Sequence, residues 1–261
     1  MAEKVKIIIL TMETLKKNKI YFASDSHLGV PDYSSSLERE KIFVKWLDSV
    51  KHDAKEIYLL GDIFDFWFEY RTVVPKGYVR LLGKLAELSD AGITIHYFTG
   101  NHDMWMFGYF PKELNIQIYR SPVEREINGR KFFIAHGDGL GPADKGYKFI
   151  KKIFSNKVCQ WLFARLHPNF GMWIGKYLSR KSRIVNGLAD EEFLGKEKER
   201  LIQYVQEKEK FAHFDFYIFG HRHLPLDIPI ENTRYINLGE WMTNFSYAVW
   251  DGEKVELKDF K

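Results

Sequence analysis

Ile20-Tyr21-Phe22-Ala23-Ser24-Asp25-Ser26-His27 is a short β-prone apolar run that breaks into a polar cluster. The same transition recurs along the chain. Ile57-Tyr58-Leu59-Leu60 runs into Gly61-Asp62, with Asp65 three residues on. Ile95-His96-Tyr97-Phe98 runs into Gly100-Asn101-His102-Asp103. Phe132-Phe133-Ile134-Ala135 meets His136-Gly137-Asp138, and Phe216-Tyr217-Ile218-Phe219 meets Gly220-His221-Arg222-His223. Each run has the length and composition of a strand. Between the early runs lie helical patterns. Phe43, Trp46, Leu47 and Val50 follow a Ser34-Ser35-Ser36 start signal, and Leu81, Leu82, Leu85 and Leu88 form a second set. Strands alternating with helices predict an α/β layered fold, in which polar groups at the carboxyl ends of strands converge on one ligand-binding rim. After residue 228, short strands around 235–238, 247–250 and 255–257 predict a closing antiparallel set.

The bulk composition fits this reading. The chain has 261 residues, 45% hydrophobic and 16% aromatic, with 39 Lys+Arg against 35 Asp+Glu. Disordered, collagenous and coiled-coil chains have other compositions. A single cysteine, Cys159, excludes a disulfide framework and a thiolate zinc cluster, and predicts a reducing compartment. Ile7-Ile8-Ile9-Leu10 is far shorter than the ~20 residues of a spanning helix. Charged residues follow it at once, without a small-residue cleavage site, so it reads as an N-terminal extension with the start at Met1 or Met12.

Five of the nine histidines sit in the polar clusters, together with Asp25, Asp62 and Asn101. Carboxylate, imidazole and amide oxygen without thiolate suit Mn²⁺, Fe or Zn²⁺. Eight ligand positions suffice for two ions if one carboxylate bridges them, and such a pair both acidifies water and clamps a phosphoryl oxygen.

The spacing of the clusters exposes an insertion. Asp25 to Asp62, Asp62 to Asn101 and Asn101 to His136 are 37, 39 and 35 residues, but His136 to His221 is 85. The extra stretch is chemically distinct. From Lys145 to Arg183 there are ten basic residues, no acidic one, and eight aromatics. Phe149, Ile150, Ile153 and Phe154, then Trp161, Leu162 and Leu166, give helical apolar faces. Such helices can lie on an anionic membrane, bind nucleic acid, or cap a core with snorkelling cations. The many large aliphatic residues favour the membrane or lipid reading, so nucleic acid is not the expected partner. The remaining helix, expected from Glu191 to Phe211, reads as a solvated Glu/Lys face. His52, His96, His167 and His213 lie outside the clusters and are expected to be structural or exposed.

In this order DxH, GDxxD, GNHD, HGD and GHxH resemble the calcineurin-like metallophosphoesterases over nearly the whole chain. The resemblance implies a two-sheet α/β sandwich flanked by helices, one domain over 1–261 with an inserted helical lid at 145–211. It implies two divalent ions, with Mn²⁺ expected and Fe or Zn²⁺ possible. One would take Asp25, His27, Asp62 and His223; the other Asp62, Asn101, His136 and His221. His102 would be the catalytic histidine that is not a ligand, oriented by Asp65.

Around the insertion the chain is similar to the UDP-2,3-diacylglucosamine diphosphatases of bacterial lipid A synthesis. The residues that carry this are His136-Gly137-Asp138, Asp144 with Gly146-Tyr147, and Ser182-Arg183-Ile184-Val185-Asn186. The resemblance implies hydrolysis of a lipid-linked UDP-sugar to UMP and a sugar 1-phosphate, by a cytoplasmic enzyme peripheral on the inner membrane. Asn101, His102, Asp144, Ser182, Arg183, Asn186 and His221 would contact substrate. Two positions depart from the best-known members, His102 standing for Arg and Ala189 for Lys. Other nucleotide-diphospho lipids, phosphodiesters or nucleic acid as substrate, and a non-catalytic membrane-binding scaffold, are the alternatives.

Overall fold

The computed structural model describes residues 17–142, 145–190, 192–193 and 195–261, and for 145 and 182–190 the backbone alone. The N-terminal apolar run lies outside the described residues. Two sheets face each other. The first is β11(Val255–Asp259)-β10(Ser246–Trp250)-β1(Lys19–Ala23)-β2(Ala54–Leu59)-β3(Thr94–Phe98)-β4(Gln117–Tyr119). The second is β5(Val123–Ile127)-β6(Arg130–Ala135)-β7(Phe216–Phe219)-β9(Thr233–Leu238)-β8(Pro225–Ile230). β1 to β4 are parallel, as are β6, β7 and β9, and the other pairings are antiparallel.

The apolar runs are continuous because their strands are covered on both faces. Phe22, Tyr58 and Phe98 point between the sheets and meet Phe132, Ile134, Phe216, Ile218 and Ile236. The alternate residues Tyr21, Ile57, Leu59, Ile95 and Tyr97 face away, packing with Trp46 and Leu47 of α1 (Tyr33–Val50) and Leu81 and Leu85 of α2 (Val79–Asp90). A short α3 (Tyr109–Leu114) adds Phe110 and Leu114 to this layer.

Two expectations change. The closing strands do not form one antiparallel set: β9 enters the second sheet, hairpinned with β8, whereas β10 and β11 extend the first. The helix expected over 191–211 is α7 (Arg200–Glu209), and it is not a purely solvated face. Leu201, Ile202 and Val205 are buried against Phe133, Tyr217 and Tyr235 of the second sheet. Three apolar residues in an otherwise Glu/Lys-rich helix suffice when they share one face.

The basic, aromatic stretch forms α4 (Lys145–Phe154), α5 (Lys157–Phe163) and α6 (Pro168–Asp190). Asn156 caps α5 by accepting from Val158 N at 2.8 Å. On their inner side Phe154, Phe163 and Met172 pack on Phe66, Phe68 and Trp105, and Trp105 Nε1 donates to the Phe154 carbonyl at 2.8 Å. On their outer side Phe149, Trp161, Phe170, Trp173 and Tyr177 stay exposed. No helix among the described residues is long and apolar enough to cross a membrane.

Ile202→Ala should lower the unfolding free energy by about 2–4 kcal/mol, the cost of a core truncation, in a denaturant melt. A change below about 0.5 kcal/mol would return α7 to the solvated surface.

Candidate metal centre

Five strand ends from both sheets deliver the polar clusters to one rim: β1 brings Asp25 and His27, β2 Asp62 and Asp65, β3 Asn101, His102 and Asp103, β6 His136 and Asp138, and β7 His221 and His223. The local backbone is strained to do this. Asp25, His27, Asp62, His221 and His223 have φ of 55°, 40°, 53°, 71° and 53°. Side chains other than glycine rarely occupy that region, and they do so mainly at functional sites. Gly100 is required by close approach, since a Cβ there would stand 2.1 Å from Asp62 Oδ1.

The expected ligands gather into two donor groups, and His27, Asp65 and His102 form a third cluster beside them. In each of Asp25–His27–His223 and Asp62–His136–His221, the three donor atoms lie within 4.8 Å of one another. His27 Nε2 and His223 Nε2 face each other at 3.0 Å, with Asp25 Oδ1 3.3 Å from the latter. In the second group His136 Nε2 is 3.4 Å from Asp62 Oδ2 and 3.3 Å from Asn101 Oδ1. The other ring nitrogen, His136 Nδ1, donates to the Leu60 carbonyl at 2.6 Å, which turns Nε2 toward the centre.

Electrostatics shows what this donor set is suited to hold. Burial pushes the Asp25 and Asp62 carboxyls up, but the surrounding imidazoles override it and hold both below the usual carboxylate range. Burial pulls His136 down, but the charge of Asp62 and a hydrogen bond to it, with the charges of Asp25 and Asp138, push it up to about 10. Two carboxylates thus hold a proton among converging oxygen and nitrogen donors. The same place fits a divalent cation, and the oxygen/imidazole donors suit Mn²⁺, Fe or Zn²⁺.

Around the donors lies a brace that spacing did not reveal. Asp103, fully buried, accepts from Gly100 N at 2.8 Å, Ile63 N at 3.0 Å and the Tyr97 hydroxyl, tying the GNHD loop to the GDxxD loop. Burial and the nearby Asp62 push its carboxyl up to about 6. Asp25 Oδ2 accepts from His221 N at 2.9 Å, and Asp62 Oδ1 from His102 N at 2.8 Å. Asp138 receives Lys151 Nζ at 2.6 Å and the Tyr147 hydroxyl, both from α4.

His102 stands at the edge of the first donor group, its ring 5.0 Å from that of His27. The carboxylate of the expected partner, Asp65, stands off, its nearest oxygen 3.9 Å from His102 Nδ1. Nδ1 donates instead to the Asp65 carbonyl at 3.1 Å and to Ser179 Oγ at 2.8 Å. Ser179 lies on α6 and was not singled out by any motif. Among the expected substrate contacts, Asn101, His102 and His221 are at the rim. Asp144 lies outside the described residues, as do the side chains of Ser182, Arg183 and Asn186. Of the remaining histidines, His96 is buried between Tyr119 and Glu56, and His52, His167 and His213 are exposed.

Residues 18–225 match the family model described as calcineurin-like phosphoesterase. The chain is 38% identical to the UDP-2,3-diacylglucosamine hydrolase of Porphyromonas gingivalis, over 94% of this chain and 98% of the relative. It is 27% identical to the protein of the same name from Tolumonas auensis, over 90% and 94%. A phosphoesterase structure from E. coli aligns over 92% of each chain at 15% identity and a TM-score of 0.47.

The raised His136 supplies a pH test. It is protonated from pH 6 to 9 when no ion is present, so an entering ion displaces a proton. Divalent-ion affinity should therefore rise with pH, by about tenfold per unit for one proton released. Calorimetry in two buffers of different ionisation heat should register that proton near neutral pH. Affinity that is flat with pH, with no proton released, would contradict it.

Proposed function

Because the chain belongs to the calcineurin-like phosphoesterase family, we propose that it is a metal-dependent hydrolase acting on UDP-2,3-diacylglucosamine. The products are UMP and 2,3-diacylglucosamine 1-phosphate. The observation that carries this reading is the pairing of two donor groups, on one rim, with basic helices that expose large apolar side chains beside it. The relatives of that name align over almost the full length of both chains.

In this reading Asp25, His27, Asp62 and His223 hold one ion, Asp62, Asn101, His136 and His221 the other, and Mn²⁺ is the proposed metal. When bound, the ions supply Lewis acidity toward the phosphoryl oxygens and acidify water. Asp103 and Gly100 keep Asp62 and Asn101 in register across the two loops. His102 keeps one proton at Nδ1 against Ser179 and the Asp65 carbonyl and, as the imidazolium, gives the other from Nε2 to the departing phosphate oxygen. Helices α4 to α6 act as the lid. Their exposed rings, including the parallel Phe170–Trp173–Tyr177 ladder at 5.8 and 5.9 Å, hold the acyl chains. Lys148, Lys152, Lys157 and Arg165 draw the lid to an anionic membrane surface, which places the enzyme peripherally on the cytoplasmic face of the inner membrane. Asp144, Ser182, Arg183 and Asn186 are the proposed further substrate contacts.

UMP release by the Mn²⁺-loaded protein tests the substrate. UDP-2,3-diacylglucosamine should exceed UDP-N-acetylglucosamine in kcat/KM by about 100-fold or more. That is ~3 kcal/mol, the burial of roughly four methylenes. Asp62→Ala should cost about a thousandfold in kcat, ~4 kcal/mol. Equal turnover of the two nucleotide sugars would discard the lipid assignment and leave the metal centre standing.

Vesicle sedimentation tests the lid. Binding to phosphatidylglycerol vesicles should exceed binding to phosphatidylcholine vesicles, fall with salt, and weaken in Trp161→Ala/Trp173→Ala. Absence of binding to the anionic vesicles at low salt would remove the membrane surface as a partner.

A further inference from the structure

We infer that Ser179 is a positioning residue for the reaction proposed above, carried into the site by the lid helix so that seating of the lid and orientation of His102 are one event. The inference rests on that proposed reaction for its kinetic arm and on geometry for the rest.

Gly171, Gly175 and Ser179 are spaced by four residues and share one face of α6. A Cβ at Gly171 would stand 2.0 Å from the Tyr70 hydroxyl oxygen, and one at Gly175 would stand 2.1 Å from Phe66 Cζ. The helix backbone therefore lies directly on the rings of the segment that starts just after Asp65. One turn further along the same face, Ser179 is buried, at 9% exposure. Its hydroxyl donates to Asp65 Oδ2 at 2.7 Å and accepts from His102 Nδ1 at 2.8 Å.

The protons can be accounted for atom by atom. The Ser179 hydroxyl has one proton and gives it to the carboxylate of Asp65. Its lone pair is then what faces His102. The second neighbour of Nδ1, the Asp65 carbonyl at 3.1 Å, can only accept. Both partners of Nδ1 are acceptors, so Nδ1 keeps its hydrogen in either protonation state; in the imidazolium form the second hydrogen is on Nε2, and its transfer to the leaving oxygen returns the Nδ1-protonated neutral ring. Nε2, which makes no hydrogen bond among the described residues, is left for chemistry. Without the serine hydroxyl, Nδ1 keeps a single partner, and Asp65 Oδ2 loses the donor that links it to His102. Asp65 acts on His102 through Ser179, and Ser179 is in place only when α6 rests on Phe66 and Tyr70.

The test uses the full-length protein with Mn²⁺ and the variants Ser179→Ala, Ser179→Thr and Gly175→Ala. Ser179→Ala should lower kcat on UDP-2,3-diacylglucosamine by about 10–100-fold, with KM within about twofold. Ser179→Thr should recover most of the activity, since it restores the hydroxyl. Gly175→Ala should show the same kinetic pattern as Ser179→Ala with the serine still present. In ¹⁵N spectra of the diamagnetic Zn²⁺-loaded protein, the His102 imidazole should give an Nδ1-protonated pattern in the parent and a tautomer mixture in Ser179→Ala and Gly175→Ala. The spectra need no substrate, so they decide the question even if UDP-2,3-diacylglucosamine proves not to be turned over. An unchanged Nδ1-protonated pattern in Ser179→Ala would overturn the inference. So would a loss confined to KM, or a threonine variant as impaired as the alanine one.

Discussion

Asp62 is a carboxylate at 1% exposure in contact with both donor groups, and a buried charge of that kind is costly unless compensated. Much of the surrounding structure serves that compensation. His136 lies 3.4 Å away, His27 3.9 Å, and the His102 amide donates to the other carboxylate oxygen. These groups come from three strand ends in two sheets, so the sandwich must close before the charge is satisfied. The left-handed backbone at Asp25, His27, Asp62, His221 and His223 is maintained by the same closure. Strain of about 1–3 kcal/mol per residue persists only where surrounding packing over-determines it. Here the packing is the interlocked aromatic core between the sheets, in which Phe22 stacks across to Phe132 at 6.5 Å.

This dependence explains what could be read from the sequence. The ligand-bearing strand ends were legible because each is a local event: a β-prone run stops, and the chain turns at a polar cluster. Their order along the chain then identified the fold. The brace was not legible, because Asp103 gives no local sign that its carboxylate reaches Ile63 N, forty residues earlier. The edge strand β4 is only three residues long, too short to show periodicity, and β8 alternates Leu226, Ile228 and Ile230 beside two prolines that mask it. Charge in the helix over 200–209 masked the three apolar residues that bury it against the second sheet. The Asp65–His102 link was expected as a direct contact. It was displaced because a residue 114 positions from Asp65 supplies the intervening hydroxyl.

The three helices over the site are amphipathic in an unusual division. Their outer surface is basic and aromatic, whereas the inner surface of α6 presents Gly171, Gly175 and Ser179 beside Met172. Small residues usually weaken a helix, and glycine costs up to about 1 kcal/mol relative to alanine in its interior. Two such positions within two turns of α6 are consistent with a demand for close backbone approach. Phe66 and Tyr70 meet that demand, their rings lying where side chains would otherwise stand.

That close approach bears on the departure at the third motif. An arginine at position 102 would bring a fixed positive charge and need no tautomer control. Histidine brings a group whose function depends on which nitrogen carries the proton, so it needs acceptors at Nδ1. The Asp65 carbonyl and Ser179 supply them from two different parts of the fold. Lys151 is paired with Asp138 and Arg180 donates to the Pro31 carbonyl at 3.0 Å. Both cations are on the inserted helices, as are the exposed apolar rings and the acceptor beside the histidine. A helix is stiff over this length, and Trp173 and Tyr177 lie within two turns of Ser179. If the proposed acyl chain lies on those rings, α6 is the element that would link it to the proton held on His102.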